Sequence, residues 1–328
     1  MMESRRSNRI TNINFVCTIL IVILHCRISV ENIDTSRYAY YPYLYKWTSV
    51  LTDVAVPTFF AMSAFLLFRN YTINKYWSKL KNRVRSLMIP YFIFSALFLI
   101  IACSVSYLLK GEIHFTFRQG AEEFLLARNN PPTWYLRTLF LFVVISPIFF
   151  YFAKLLNLWA ISLVSIFLMA FLSIHIQPYS SLQFWAPILI FFTGIAIKNN
   201  KFKQMLIGGD RIAPRYFSYL AICVLLISIT ITTECTEKST GYYLFRMFSP
   251  VLVFIISDLF TWKPLKIQKY SFFIFLTHWL PMYATKSISG HPLLNIPRII
   301  FVLFFCIVIA NVIEQFFPKL YKILAGGR

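Results

Sequence analysis

Long uncharged runs broken by short basic clusters constrain this 328-residue chain more than any other feature. From Pro90 to Leu109 the sequence reads PYFIFSALFLIIACSVSYLL, without one charge. A helix advances 1.5 Å per residue, so about 20 such residues cross the hydrocarbon layer of a bilayer. A helix is also the open form in which every backbone group finds its partner inside the segment. Runs of this kind recur along the whole chain, and only 13% of its residues are charged, against about a quarter in soluble proteins. The sequence therefore reads as an all-α, polytopic integral membrane protein.

About ten transmembrane helices are expected, at 11–29, 50–68, 87–109, 134–153, 155–174, 182–198, 216–233, 241–260, 270–286 and 297–317. Lysine and arginine test the scheme, because they accumulate on the cytoplasmic side. With the first residues inside, that side collects Arg5, Arg6 and Arg9, then Arg69, Lys75, Lys79, Lys81, Arg83 and Arg85. It also gains Lys198, Lys201, Lys203, Arg211, Arg215, Lys263, Lys266 and Lys269. The other side holds far fewer, among them Arg27, Arg37, Lys46, Lys110, Arg128 and Arg298. Both termini are thus expected in the cytoplasm, in a multi-pass protein of the cytoplasmic (inner) membrane. One membrane domain, 1–328, with short tails at about 1–10 and 318–328, accounts for the chain. Its longest outer connections are at 30–49 and 110–133.

The net charge of +20 follows from this topology and from contact with lipid headgroups. No nucleic-acid-binding motif accompanies it. The cysteines at 17, 26, 103, 223, 235 and 306 form no C-x-x-C pair, so neither a disulfide framework nor a metal site is indicated. The first span is too long for a signal-peptide core and is expected to be retained.

Polar residues inside the spans carry the functional information, since they cost free energy unless they face the bundle interior. In the first span Asn14, Thr18, His25 and Ser29 share one helical face. His25 either fixes packing through an interhelical hydrogen bond or serves chemistry. In the second span Asp53 heads a seam of small residues with Ala61 and Ala64. It either caps a helix at the interface, or pairs with Arg27 or polarises His25. Trp134 and Tyr135 suit an interface, and Arg137 lies about one turn inside the fourth span, as Arg246 does in the eighth. Each arginine alone could snorkel to the headgroups; with His25 the two describe a cationic pocket for developing negative charge. His278 reads as a core histidine. Among the basic residues before the third span, one or two arginines could clamp phosphates.

Five blocks then resemble the acyltransferase-3 family of polytopic membrane acyltransferases. They are INFVCTILIVILH in the first span, VPTFFAMSAFLL in the second, RVRSLMIPYFIF at the third, PPTWYLRTLF at the fourth and SFFIFLTHWL near the end. The resemblance runs from about residue 8 to 317 and implies ten helices with both termini inside. It implies transfer of an acyl group, usually acetyl from cytoplasmic acetyl-CoA, to a hydroxyl of a cell-surface or lipid-linked glycan. The family's catalytic first-span histidine falls on His25, with the chemistry open between general base and acetyl-histidine nucleophile. The aromatic-Leu-Arg pattern falls on Trp134, Tyr135, Leu136 and Arg137, and the late-span histidine on His278. Arg83 and Arg85 fall where the family has basic residues, as contacts for coenzyme A. Asn14 stands where the family usually has arginine, and Ala64 where it usually has glycine. The expected site is thus His25, Arg137 and Arg246 for catalysis, with Arg83, Arg85 and Asn14 for the acyl donor. Asp53, Trp134, Tyr135 and His278 complete the pocket. Two other classes compete: a transporter or flippase for a lipid-linked sugar, and a non-catalytic scaffold with the same fold. Few glycines and no carboxylate at a membrane centre speak against transport.

Overall fold

The structure, a computed structural model, describes residues 2–68, 70–111, 116–175, 181–198, 217–232, 240–259, 262–285 and 291–327. Arg69, Cys235 and the basic residues between 199 and 216 lie outside the described residues. The described residues are overwhelmingly helical, and none of them is in a strand.

Among the described residues the helices are, in chain order, α1 (Met2–Cys26), α2 (Tyr41–Asp53), α3 (Ala55–Phe68), α4 (Tyr76–Arg83), α5 (Ile89–Lys110) and α6 (Phe117–Leu126). There follow α7 (Trp134–Val144), α8 (Ser146–Leu155), α9 (Leu158–His175), α10 (Ser181–Lys198), α11 (Phe217–Thr232) and α12 (Thr240–Leu259). The last four are α13 (Ser271–Thr277), α14 (Trp279–Ala284), α15 (Asn295–Phe316) and α16 (Pro318–Leu324). A π-helical segment, Val84–Met88, joins α4 to α5.

Prolines place three of the breaks. A helical proline lacks the N–H for the carbonyl four residues back, and its ring crowds that carbonyl. Pro57 does this to Asp53, where α2 ends; Pro147 to Val143, just before α8; and Pro281 to Thr277, where α13 ends. Among the described residues, four stretches are long and apolar enough to cross a membrane: Asn8–Cys26, Tyr41–Phe68, Ile73–Lys110 and Pro292–Phe316. The pair Pro131–Val144 and Ser146–Leu155 makes a fifth if it counts as one span. Other expected spans fall on shorter apolar helices, such as Leu158–Leu172, Trp185–Lys198 and Gly241–Ser257.

The chain divides into two compact units. The first comprises residues 1–24, 46–76 and 142–268. There α10 packs on α3, α8 and α9, and α12 packs on α3, α9 and α11. Small residues allow the approach: Ala61 and Ala64 of α3 are fully buried. Gly194 of α10 lies so near α9 that an added Cβ would stand 2.7 Å from Ile161 Cγ2. Phe60 stacks on Trp185 at 5.0 Å, and Phe65 meets Phe192 and Phe254 edge-on.

The second unit comprises residues 25–45, 77–141 and 269–328. Here α5 packs on α6, the π segment and α16, while α15 packs on α13, α14 and α16. Residues 318–324, expected in a tail, form α16 and bury Tyr321 and Leu324. Gly326 follows at φ 71°, where a Cβ would stand 2.5 Å from the Ser86 carbonyl.

Candidate active site

His25 stands in the last turn of α1, one residue before the helix ends at Cys26. Last-turn carbonyls have no donor within their own helix, and here a buried arginine supplies one. Arg298 donates from Nη1 to the Cys26 carbonyl (3.2 Å), from Nη2 to the Met282 carbonyl (2.8 Å) and from Nε to Thr285 Oγ1 (3.1 Å). One guanidinium so caps both α1 and α14, and its charge sits at the negative ends of their dipoles. The next residues are tied down as well. The Tyr41 hydroxyl donates to the Ile28 carbonyl at 2.6 Å. Asn295 donates from Nδ2 to that hydroxyl at 3.2 Å and accepts the Ile28 N–H at Oδ1, also at 3.2 Å.

His278 occupies the break between α13 and α14 and has no exposed surface. Its Nε2 lies 2.9 Å from His25 Nδ1. Its Nδ1 faces two carbonyls of its own helix, Ile274 at 3.1 Å and Phe275 at 2.9 Å. The imidazole centroids are 5.1 Å apart with the planes 20° from parallel. That separation is an edge-to-edge distance: the 2.9 Å nitrogen contact with one ring radius added at each end. The rings therefore meet head to head rather than face to face, as a hydrogen bond prefers. The Trp279 ring stands nearly perpendicular to His25 at 5.5 Å.

Tyr135 meets Phe275 edge-on at 5.7 Å, and Phe275 lies 6.2 Å from the His278 ring. Trp134 packs edge-on against Tyr135. Arg83 carries its charge close to Tyr135 and is half-buried, whereas Arg85 is exposed. Two residues apart on a helix, the pair points to roughly opposite sides. The Arg137 guanidinium lies close to the Tyr91 hydroxyl, which donates to the Leu125 carbonyl at 2.6 Å. Arg137 Nη1 is buried and has no hydrogen-bond partner among the described residues. The second unit thus holds His25, His278, Trp134, Tyr135, Arg137, Arg83 and Arg85.

Three expected residues belong to the first unit. Asp53 accepts the Tyr242 hydroxyl at 2.7 Å and Arg246 Nη2 at 3.2 Å. The Arg246 guanidinium also lies 4.2 Å from the Tyr242 ring centroid. Of the two readings of Asp53, interfacial cap or partner of Arg27 or His25, the structure shows its carboxylate engaged by Tyr242 and Arg246 of α12, while Arg27 lies over the Tyr45 ring at 4.7 Å. Pro250, inside α12, leaves the Arg246 carbonyl without its helical donor, and the Ser249 hydroxyl donates there at 3.3 Å. Asn14 is half-buried, with its backbone carbonyl accepting the Thr18 hydroxyl at 2.8 Å.

Sequence reasoning missed four contributors to the surroundings of His25. Arg298 was counted as an outer-loop cation, since an arginine before an apolar run looks like a headgroup anchor. Tyr41 and Asn295 lie in stretches with no periodicity to mark them. Asn130, fully buried, donates from Nδ2 to the Leu276 carbonyl at 3.0 Å, two residues from His278. The Asn-Pro-Pro of residues 130–132 signals a turn but not this bond.

Apolar helices of spanning length define a helical membrane protein, and a histidine pair joins the end of α1 to the break between α13 and α14. The family model described as an acyltransferase domain matches residues 8–314, nearly the whole chain. The chain belongs to the acyltransferase-3 family and is a multi-pass membrane acyltransferase. No curated protein and no solved structure matches it.

Proposed function

We propose that the protein is an integral-membrane O-acetyltransferase that moves acetyl from acetyl-CoA to a hydroxyl of a cell-surface or lipid-linked glycan. The contact that carries the reading is the 2.9 Å approach of His25 to His278, which holds one imidazole in a fixed orientation while the other ring nitrogen stays available. His25 acts as general base. It takes the proton of the acceptor hydroxyl as the oxygen attacks the thioester carbonyl. The tetrahedral intermediate then collapses, the C–S bond breaks, and the departing thiolate recovers the proton. A positioned base contributes about 10²–10⁴-fold.

Arg137, with a buried N–H to spare, suits the oxyanion. Arg83, half-buried beside Tyr135, suits a phosphate of coenzyme A, since a planar guanidinium bonds two phosphate oxygens at once. Exposed Arg85 points to the other side of its helix and serves an approaching donor rather than the phosphate that Arg83 holds. Asn14 takes a neutral place where the family resemblance leads one to expect an arginine, and Arg246 with Asp53 and Tyr242 offers paired donors and acceptors to a sugar. Ten spans with both termini in the cytoplasm are the topology that brings a cytoplasmic donor to an external acceptor, across the cytoplasmic membrane.

The test compares ester-linked acetate on surface glycans in deletion, wild-type and His25→Ala strains. Acetate should vanish in the deletion and stay absent with His25→Ala at equal membrane abundance. Unchanged acetate in all three, with lipid-linked sugar accumulating inside the deletion strain, would replace this reading by a flippase.

A further inference from the structure

The geometry around His278 assigns one proton to each ring of the pair, on Nδ1 in both, and so identifies the reacting atom of His25. Carbonyl oxygens only accept hydrogen bonds. His278 Nδ1 faces two of them, Ile274 and Phe275, so in the neutral ring Nδ1 carries the hydrogen and Nε2 carries the lone pair. That lone pair is what His25 Nδ1 meets at 2.9 Å. His25 Nδ1 must then be the donor, and its own lone pair is left on Nε2. A second proton shared by the pair would put a cation on a ring with no exposed surface and no carboxylate among its bonded neighbours, which burial strongly opposes.

We infer that His278 is a positioning residue that fixes the tautomer and direction of His25, leaving His25 Nε2 as the atom that accepts the substrate proton. This deepens, and rests on, the reading of His25 as the base. During transfer the hydroxyl proton moves to Nε2, its oxygen bonds to the acyl carbon, and the carbonyl electron pair moves onto oxygen. When the C–S bond breaks, the thiolate takes the same proton from Nε2. While His25 is charged, the Nδ1–H bond to His278 becomes charge-assisted and shortens. The two helix carbonyls beyond stabilise it as dipoles. Backbone oxygens thus occupy the place that a carboxylate holds in many base dyads, with no net charge brought into the membrane.

Nitrogen NMR of full-length protein in lipid bilayers, labelled with ¹⁵N only at histidine, reads the tautomer without any activity. The chain has five histidines, and His25 and His278 are assigned by the signals lost in His25→Gln and His278→Gln. Protonated Nδ1 and bare Nε2 are expected at both; a protonated Nε2 with bare Nδ1 at His25 would overturn the inference.

Two variants separate positioning from packing. His278→Gln places an amide oxygen near the lost Nε2 and can still accept from His25, whereas His278→Leu fills the space without an acceptor. The Leu variant should lose about 100-fold or more in kcat, with KM for acetyl-CoA within about 3-fold of wild type. The Gln variant should stay within about 10-fold of wild type in kcat. Equal loss in both variants at equal stability would make His278 a packing residue and sink the proposal. Should the Leu variant fail to fold, the NMR assignment still decides. Full acetyl transfer by His25→Ala would defeat the base reading while leaving the tautomer result standing, so the two failures are distinguishable.

Discussion

Arg298 gives its guanidinium to three neutral acceptors, the Cys26 and Met282 carbonyls and the Thr285 hydroxyl. Replacing it with methionine keeps the stem and strands two buried helix-end carbonyls. Arg298→Met is expected to cost about 2 kcal/mol, typical of an orphaned buried group, read as a lowered unfolding temperature in detergent. Lysine should not rescue it, because a point charge cannot reach three acceptors in a fixed fork. Tyr41→Phe removes one hydroxyl that bridges Ile28 and Asn295, and a loss of about 1 kcal/mol is expected from the same melting measurement. At this scale the sequence showed which residues were out of place in lipid but not whom they met. His25 and His278 were both visible as polar interruptions. Their contact spans 253 positions, a distance that helical periodicity does not reach. Arg298 was visible too, but its depth depended on a fold around it.

Helices were the most legible level, because apolar runs bounded by basic clusters leave little choice inside a membrane. The breaks were less so. Pro57, Pro147 and Pro281 were in plain view, yet whether a proline bends a span or ends it depends on what satisfies the freed carbonyl. The seam on α3 was read from Ala61 and Ala64, but the close approach of α10 to α9 was not. Gly194 there carries a strong prediction. Gly194→Ala sets a methyl 2.7 Å from Ile161 Cγ2 and should cost about 1–3 kcal/mol as overpacking. The nearest clashing atom is the β-branch of Ile161, which leucine lacks, ahead of Cδ1 at 3.0 Å. In an Ile161→Leu background the same glycine change should therefore cost clearly less, a coupling that a double-mutant cycle of thermal stability would measure. Additive losses would show that α9 and α10 do not meet at that point.

For the whole molecule, composition and charge asymmetry prescribed a multi-pass protein, and the family match over residues 8–314 agrees with that class. The count of spans rests on chemistry that length alone does not settle, since several apolar helices are short or broken. Topology can be read directly with exposed cysteines. Ser36→Cys should react with a membrane-impermeant thiol reagent added outside intact cells, and Ser78→Cys only after the inner face is opened, each scored against wild type. Labelling of both from one side would overturn the ten-span scheme. The histidine pair also behaves as a distance gauge. The carbonyls that hold the His278 proton belong to its own helix, so α13 carries its half of the arrangement wherever it moves. The bond to α1 is a single nitrogen contact, and a hydrogen bond weakens within a fraction of an ångström beyond its normal range. On the proposed mechanism, any loosening of α13 from the end of α1 disarms His25 before the fold itself gives way, so activity should be lost at a lower temperature than structure.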